Sequence, residues 1–481
     1  MCGKSEELYS GRKFCAFEVG ANSVPSSRNI RVGEKRKVIS LKKTAIESPE
    51  WLTHGAVYQI NPRTFSKDGT IGAVTEELDF LKSIGFDIIY LCPFFCEDES
   101  ETGMSPRQIK SGTGNPKNPY RMNDYFAVDS EYGTPEDLAE LISEAHKRGM
   151  RLLLDLVYAH IGPNAPIIKR YPDFVQRTAD GEIINTEWNF PALDFRCEGL
   201  REYLYCNMIY YISVIDADGF RCDVGDAVPD DFWYEARKRM KKIKPDSVLI
   251  NEGSKYERMM TSFNATYFFN WHETLYKVFC RGESAETIPE TDKEAKRGNF
   301  PKGGMLLRDI DNHDTVTDWS RRTETAAGHD GMEQIEVINY LADGIPMVYC
   351  GNEIACEANL NLFANRFYPG GFEVTDRKRK DTPAALRRMN ILKQLNKLKR
   401  QSDILADGEM KWCECTNNSL SFRRTLDERG IIFVGNTGNS VSRVTVGDVP
   451  KNAGIILSNG VKEYRDGCFN FERYGYAVLE Y

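Results

Sequence analysis

Four short apolar runs of this sequence carry ionisable groups at or just beyond their ends. Asp155 lies within RLLLDLV with His160 shortly after it. Arg221 and Asp223 belong to GFRCDV, Glu252 ends SVLINE, and Asn312, His313 and Asp314 follow MLLRDI. A carboxylate in an apolar strand costs several kcal/mol unless it is paired, so three of them converging on one mouth is an expensive arrangement that needs a purpose. Two neighbouring carboxyl groups can cleave a glycosidic bond, one as general acid and one as nucleophile, and a cation such as Arg221 would keep the nucleophile ionised. These residue types point to carbohydrate chemistry.

Such groups meet only if the strand ends are gathered together. Strand-like runs alternate with amphipathic helical stretches from about Trp51 to about Arg400: Ala56 to Ile60, Asp87 to Leu91, Arg151 to Val157, Gly219 to Val224, Ser247 to Glu252, Thr266 to Asn270, Met305 to Ile310 and Ile345 to Cys350. In TPEDLAELISEAHKRG, Thr134 suits a cap, Pro135 the first turn and Gly149 the exit. Eight βα units predict an α/β fold of the (β/α)8 TIM-barrel type, whose active sites lie at the C-terminal ends of the strands. The connection from Ile161 to Gly199 is too long for an ordinary βα loop and predicts a small inserted subdomain, followed by the helical LREYLYCNMIYYI.

The expected organisation is therefore an N-terminal extension of unassigned role over 1–50, a catalytic barrel over 51–400 with the insertion at 161–199, and a β-sandwich-like domain over 401–481. That last region holds strand-like pieces such as SLSFRRTL, GIIFVGN and YAVLEY between Gly and Asn turns. The extension offers only short candidates such as RKVISLKK. Lys and Arg number 63 against 71 Asp and Glu, a net charge of −8 with both signs interspersed, so nothing recruits nucleic acid or an anionic membrane. No stretch reaches the ~18 apolar residues that a membrane span requires. The polar start MCGKSEELYSGRK lacks the apolar core of a signal peptide, and thirteen cysteines without a CxxC pair suggest reduced thiols. A cytoplasmic location is expected, with a trimmed lipoprotein beginning at Cys2 as the alternative. Oligomeric state is not readable.

The strings DLVYAH (Asp155 to His160), GFRCD (Gly219 to Asp223), Glu252 of LINEG, and DNHD (Asp311 to Asp314) resemble, in order and spacing, the four sequence regions of the α-amylase superfamily, glycoside hydrolase family 13. VYQINPRTF, NDYFAVDSEYGT, GIPMVYCGNE and the closing YGYAVLEY extend the resemblance over residues 51 to 481. The resemblance implies Asp223 as nucleophile, Glu252 as general acid/base and Asp314 as the third carboxylate, which grips the sugar. It also implies Arg221 as the guanidinium holding Asp223 charged, His160 and His313 as imidazoles bonding sugar hydroxyls, and Tyr120 as the platform beneath the sugar. Asp155 is implied as the carboxylate that orders Arg221. A single strand-end Asp is usually a cap or turn former, and a single histidine or tyrosine is often plain core; it is the register of four regions together that favours the functional reading. Cys222 reads as an ordinary buried strand residue.

Departures from the family pattern limit the transfer. Ala159 stands where many members carry an Asn that ligates a structural calcium, and a methyl group cannot coordinate a hard cation, so no metal is assigned and no cofactor is expected to be required. SKDGT (Ser66 to Thr70) reads as a plain turn. Region two continues as DVGDAVP without a Lys-His pair, and Gly253 and Ser254 follow Glu252 in place of an aromatic residue. Val224 after the nucleophile resembles members that cut α-1,6 bonds, but Arg121 follows Tyr120 where such members carry Asp. The expectation is a retaining hydrolase of α-1,4 bonds in malto-oligosaccharides or starch fragments, its partner being the glucan substrate. An α-1,6-glucosidase or a transglycosylase on the same residues is the alternative, and an inactive glucan-binding homologue the least favoured reading.

Overall fold

The alternation of apolar and amphipathic stretches closes into a ring. A computed structural model describes residues 43–318, 322–366 and 380–481. In chain order its strands are β1 (Val57–Ile60), β2 (Ile88–Leu91), β3 (Phe95–Glu97), β4 (Met122–Val128), β5 (Arg151–Val157), β6 (Gly219–Asp223), β7 (Val248–Asn251), β8 (Ala265–Tyr267), β9 (Leu306–Arg308) and β10 (Ile345–Tyr349). The set β1, β10, β9, β8, β7, β6, β5, β2 forms a closed parallel barrel in that order, sealed by pairing of β1 with both β10 and β2. Each of the eight runs read from the sequence supplies one barrel strand. The run from Thr266 to Asn270 is cut short, because β8 ends at Tyr267 and a helix, Phe269–Arg281, begins two residues later. A short aromatic run fits a strand and a buried helix equally well.

Barrel strands alternate between two apolar layers. Ile88, Leu153, Val248, Ile250, Ile345 and Met347 fill the interior, while Ile89, Leu152, Leu154, Phe220, Cys222 and Leu249 face the surrounding helices. Cys222 is thus an outward packing residue, and burial pushes its thiol well above the usual range. On β6 the same period of two places Arg221 and Asp223 on the inner face, and the β5 to β6 register sets Asp155 beside Arg221. Helix Pro135–Lys147 starts as read, with Thr134 Oγ1 accepting from the Asp137 amide at 3.2 Å and Asp137 Oδ2 accepting from the Thr134 amide at 2.7 Å. Two connections are long. The one after β2 holds the antiparallel pair β3 and β4, which the sequence did not reveal because β3 is only three residues long. The one after β5 carries short bridges Val175 to Leu193, Arg177 to Ile183 and Asn185 to Pro191 before helix Glu198–Ser213.

Beyond helix Pro383–Gln401, strands β11 (Glu409–Trp412), β12 (Ser419–Leu426), β13 (Arg429–Asn436), β14 (Ser442–Thr445), β15 (Gly454–Arg465) and β16 (Cys468–Glu480) form one antiparallel sheet. One face, with Phe422, Phe433 and Tyr476, joins the main core. A second cluster joins Ile432 and Val434 of β13, Val444 of β14, and Phe469, Phe471, Ala477 and Leu479 of β16. Buried Arg424 donates to the carbonyls of Leu341, Ala342, Leu405 and Gly408, tying the sheet to the helical layer. The N-terminal candidate RKVISLKK lies outside the described residues except for its final lysine. No helix among the described residues is long and apolar enough to cross a membrane.

The seam between β9 and β10 depends on one glycine. Gly344 has φ +96°, and a Cβ there would sit 2.2 Å from the Leu306 carbonyl oxygen. Gly344→Ala is therefore expected to destabilise the fold by at least about 2 kcal/mol, read as a lowered urea midpoint. A loss below about 0.5 kcal/mol would show that the seam relaxes freely.

Candidate active site

The ionisable groups singled out in the sequence meet at the C-terminal mouth of the barrel. Arg221, fully buried, donates from Nη1 to Asp155 Oδ1 at 2.8 Å and to Asp223 Oδ1 at 2.8 Å, and its Nη2 pairs with Glu252 Oε1. One guanidinium thus holds three carboxylates from β5, β6 and the end of β7. Three tyrosine rings surround it, with centroids 6.0 Å (Tyr90), 5.8 Å (Tyr120) and 5.6 Å (Tyr267) from its central carbon. Asp223 Oδ2 is left without a hydrogen-bond partner. Glu252 Oε2 accepts from the Val224 amide at 2.7 Å.

A hydrogen-bonded chain fixes the aromatic side of the site. Gln59 Nε2 donates to His313 Nδ1 at 2.9 Å, which leaves the imidazole proton on Nε2, 2.6 Å from Tyr120 Oη. Tyr120 in turn donates to Asp155 Oδ2 at 3.2 Å, and Tyr90 donates to the same oxygen at 2.5 Å. The Tyr120 and His313 rings are stacked at 5.5 Å. His160 lines the wall between Trp188 and Phe190, with ring centroids 5.5 and 5.0 Å away. Its Nε2 is already engaged by the Tyr120 carbonyl at 2.9 Å, and Nδ1 has no partner.

Asp314, at the start of helix His313–Asp318, receives Arg107 Nη1 at 2.5 Å. A cavity of about 110 Å³ opens between Asp223, Glu252, Asp314, Tyr120, His313 and His160. All eight residues singled out in the sequence are therefore in one cluster, with Asp155 and Arg221 beneath the cavity floor. Gln59, Tyr90, Tyr267, Arg107 and the wall aromatics Trp188 and Phe190 were not singled out. For Tyr90 and Gln59 a signal existed, since both are polar-tipped residues near strand ends. Arg107, in a five-residue helix of a long loop, left none.

Burial pushes Asp223 and Glu252 above the usual carboxylate range, with Arg221 opposing and each carboxylate adding to its neighbours' shift. The pair therefore holds a proton more readily than two exposed carboxyls would. Burial also works against ionisation of Asp314, yet His313, Arg107 and Arg221 hold it well below the usual range. Desolvation lowers His160 to about 4, which keeps it neutral near pH 7. Such a site can offer a proton, a carboxylate nucleophile and a fixed anion around one small cavity.

The family model "Alpha amylase, catalytic domain" matches residues 51–175. The intracellular maltogenic amylase of Bacillus subtilis is 25% identical, with 83% of this chain and 71% of that protein covered. The cyclomaltodextrinase of Thermoanaerobacter pseudethanolicus is 20% identical, with 88% and 76% covered. Among solved structures, a maltogenic alpha-amylase from Thermotoga neapolitana superposes with a TM-score of 0.75 at 20% identity, over 89% of this chain and 99% of that one. An alpha-amylase from Geobacillus thermoleovorans complexed with acarbose gives 0.71 at 22%, over 89% and 98%. The two solved structures share the fold.

Removing Arg221 would leave three buried carboxylates without their cation. Arg221→Met is expected to cost about 3–5 kcal/mol at pH 7. Without the guanidinium the folded-state pKa values of Asp223 and Glu252 rise further above their unfolded values. The penalty should then be absent below the unfolded pKa and grow as pH rises through and beyond it. Urea unfolding at pH 4.5 and 7 checks this; a pH-independent loss would mean that Arg221 acts by packing alone.

Proposed function

We propose that this chain is a glycosidase of the α-amylase superfamily that hydrolyses α-1,4-glucosidic bonds of malto-oligosaccharides or starch fragments with retention of configuration. The observation that carries the reading is the shared guanidinium: Asp223 and Glu252 lie on two terminal nitrogens of Arg221, at the floor of a cavity also lined by Asp314. Neighbouring carboxyls of this kind suit the roughly 5 to 5.5 Å spacing of a double displacement better than the roughly 6.5 to 9.5 Å that leaves room for water.

In the first step Asp223 attacks the anomeric carbon with Oδ2, the oxygen that Arg221 does not hold. Glu252 gives its proton to the glycosidic oxygen, and the bond to the leaving sugar breaks as the glycosyl ester forms. In the second step water gives a proton to Glu252 and attacks the same carbon, returning Asp223 as carboxylate and releasing the α anomer. Asp314, held ionised, would bond the sugar hydroxyls, and His313, whose Nε2 proton goes to Tyr120 Oη, would hold Tyr120 beside the ring. Arg221 and Asp155 act through Asp223, as positioning residues.

The α-1,4 preference is supported by the relatives named above and by Arg121. Its guanidinium is committed to the Ser100, Thr102 and Pro116 carbonyls, so it takes no part in a sugar clamp. Val224 lines the cavity and is the residue that would favour α-1,6 bonds instead. A tenfold or greater preference for isomaltotriose over maltotriose, about 1.4 kcal/mol, would overturn the α-1,4 assignment. No calcium requirement belongs to the same reading. Ala159 offers no ligand, and the acidic groups by the mouth already have cations: Arg63 pairs with Glu97 at 2.8 Å, Lys117 with Asp129 at 2.7 Å and Arg121 with Asp98 at 3.5 Å. Activity should survive chelation, and a loss restored by calcium would refute this.

The two carboxylates should separate by leaving group. Asp223→Asn is expected to lose at least about 10³-fold in turnover on every donor. Glu252→Gln should lose as much on oligosaccharides but recover at least about tenfold relative to them on α-glucosyl fluoride, whose leaving group needs no proton. Because burial raises Glu252, the wild-type rate on oligosaccharides should fall only as pH climbs through that raised value. That alkaline limb should vanish in Glu252→Gln on the fluoride. Early product seen by proton NMR should be the α anomer, and an initial β signal would exclude double displacement.

A further inference from the structure

Besides holding Asp314 ionised, Arg107 lines one side of the cavity. In the barrel ring β7, which carries Glu252, stands opposite β1, and β1 is flanked by β2 and β10. The connections after β2 and β10 supply Arg107 and Phe363, so these residues rise across the mouth from Glu252. A general acid protonates the leaving oxygen, so the leaving sugar must lie on the Glu252 side. The opposite arc faces the non-reducing side of the sugar that is cut off.

That arc is closed. Arg107 donates from Nη1 to Asp314 Oδ1 at 2.5 Å, from Nη2 to the Asp314 carbonyl at 3.2 Å and from Nε to Asp318 Oδ1 at 2.7 Å, while its guanidinium lies over the Phe363 ring at 5.8 Å. The closure is braced from both loops. Ser105 caps the helix Pro106–Lys110 that carries Arg107, and buried Asn115 donates from Nδ2 to the Phe363 carbonyl at 2.9 Å. Thr317 Oγ1 accepts from the Leu362 amide at 2.9 Å, joining the third connection to the same wall. The cavity that this wall borders measures about 110 Å³.

We infer that the wall made by Arg107, Asp314 and Phe363 makes the site a pocket for one terminal glucosyl unit, so that the enzyme removes glucose from non-reducing ends. Arg107 is then a specificity-determining residue. The inference rests on the function proposed above and narrows its substrates to chain ends. Asp318, which is exposed, orients Arg107 from outside the cavity.

Tetrasaccharides labelled at the reducing end test the point for either linkage, using maltotetraose and isomaltotetraose. The wild-type enzyme should yield labelled trisaccharide as first product, at least about tenfold over labelled disaccharide. Arg107→Ala should narrow that ratio at least about tenfold by admitting chains past the wall. Asp318→Ala, which removes the Nε partner of Arg107 while leaving Asp314 intact, should narrow it in the same direction and serves if the first variant does not fold. Labelled disaccharide as a major first product of the wild type, or an unchanged ratio in a folded variant, overturns the inference. Release of fluoride from α-glucosyl fluoride runs alongside. If the wild type turns over neither the fluoride nor either tetrasaccharide, it is the proposed function that fails.

Discussion

One buried guanidinium organises the mouth of this barrel. Three carboxylates in an apolar ring would each carry a desolvation penalty of several kcal/mol, and Arg221 is the cation that contacts all three. That demand sets the geometry around it. The strand period of two must place Arg221 and Asp223 on the inner face of β6, the β5 to β6 register must set Asp155 beside Arg221, and β7 must end level with them so that Glu252 reaches the other nitrogen. Such an ion cluster is weak evidence for stability, since apolar residues of the same volume would serve as well or better. Its value lies in fixing carboxyl oxygens relative to one another, while burial, together with the remaining excess of negative charge, lets a proton reside at the mouth.

The phenols complete that balance. Asp155 accepts from Tyr90 and Tyr120 as well as from Arg221, so both its oxygens are engaged and it is unsuited to attack anything. Asp223, by contrast, keeps one oxygen unpartnered. Two aspartates beside the same arginine thus differ in what they can do because their remaining neighbours differ. On the far side Asp314 takes its cation from Arg107, in a different loop, so its ionisation does not draw on Arg221 alone.

The barrel and the floor of its site were legible because both obey short-range periodic rules. Runs such as DIIYL and IPMVY announce buried parallel strands, and Asp155, Arg221 and Glu252 interrupt those runs with charges that nothing local could satisfy. The pair β3 and β4 was not legible, since three residues carry no period, and TYFFN was read too long because aromatic residues suit a strand and a buried helix alike. His160 is expected at the mouth because it follows the third barrel strand, and it lines the cavity. Its hydrogen bond to the Tyr120 carbonyl depends on a chain contact 40 residues away in sequence, which no motif encodes. Arg107 was invisible for the same reason: its partners Asp314 and Asp318 lie 207 and 211 residues on, and a five-residue helix shows no pattern of its own.

Val224 links the scaffold to the chemistry most directly. It is a β-branched residue with φ +39° and ψ +45°, a left-handed conformation that costs of order 1–3 kcal/mol and needs surrounding structure to hold it. The surroundings are visible: the Glu252 amide donates to the Cys222 carbonyl at 3.1 Å and the Gly225 amide donates to the Glu252 carbonyl at 2.9 Å, so the turn after β6 is stapled to the end of β7 on both sides of Val224. A Cβ at Gly225 would lie 2.2 Å from Asn251 Oδ1, so any larger residue there would displace that side chain. What the strained turn achieves is to aim the Val224 amide at Glu252 Oε2 while Arg221 holds Oε1. Both oxygens of the proposed acid are thereby located by the strand that carries the proposed nucleophile, and the spacing of the two carboxyls is set by backbone as well as by the shared guanidinium.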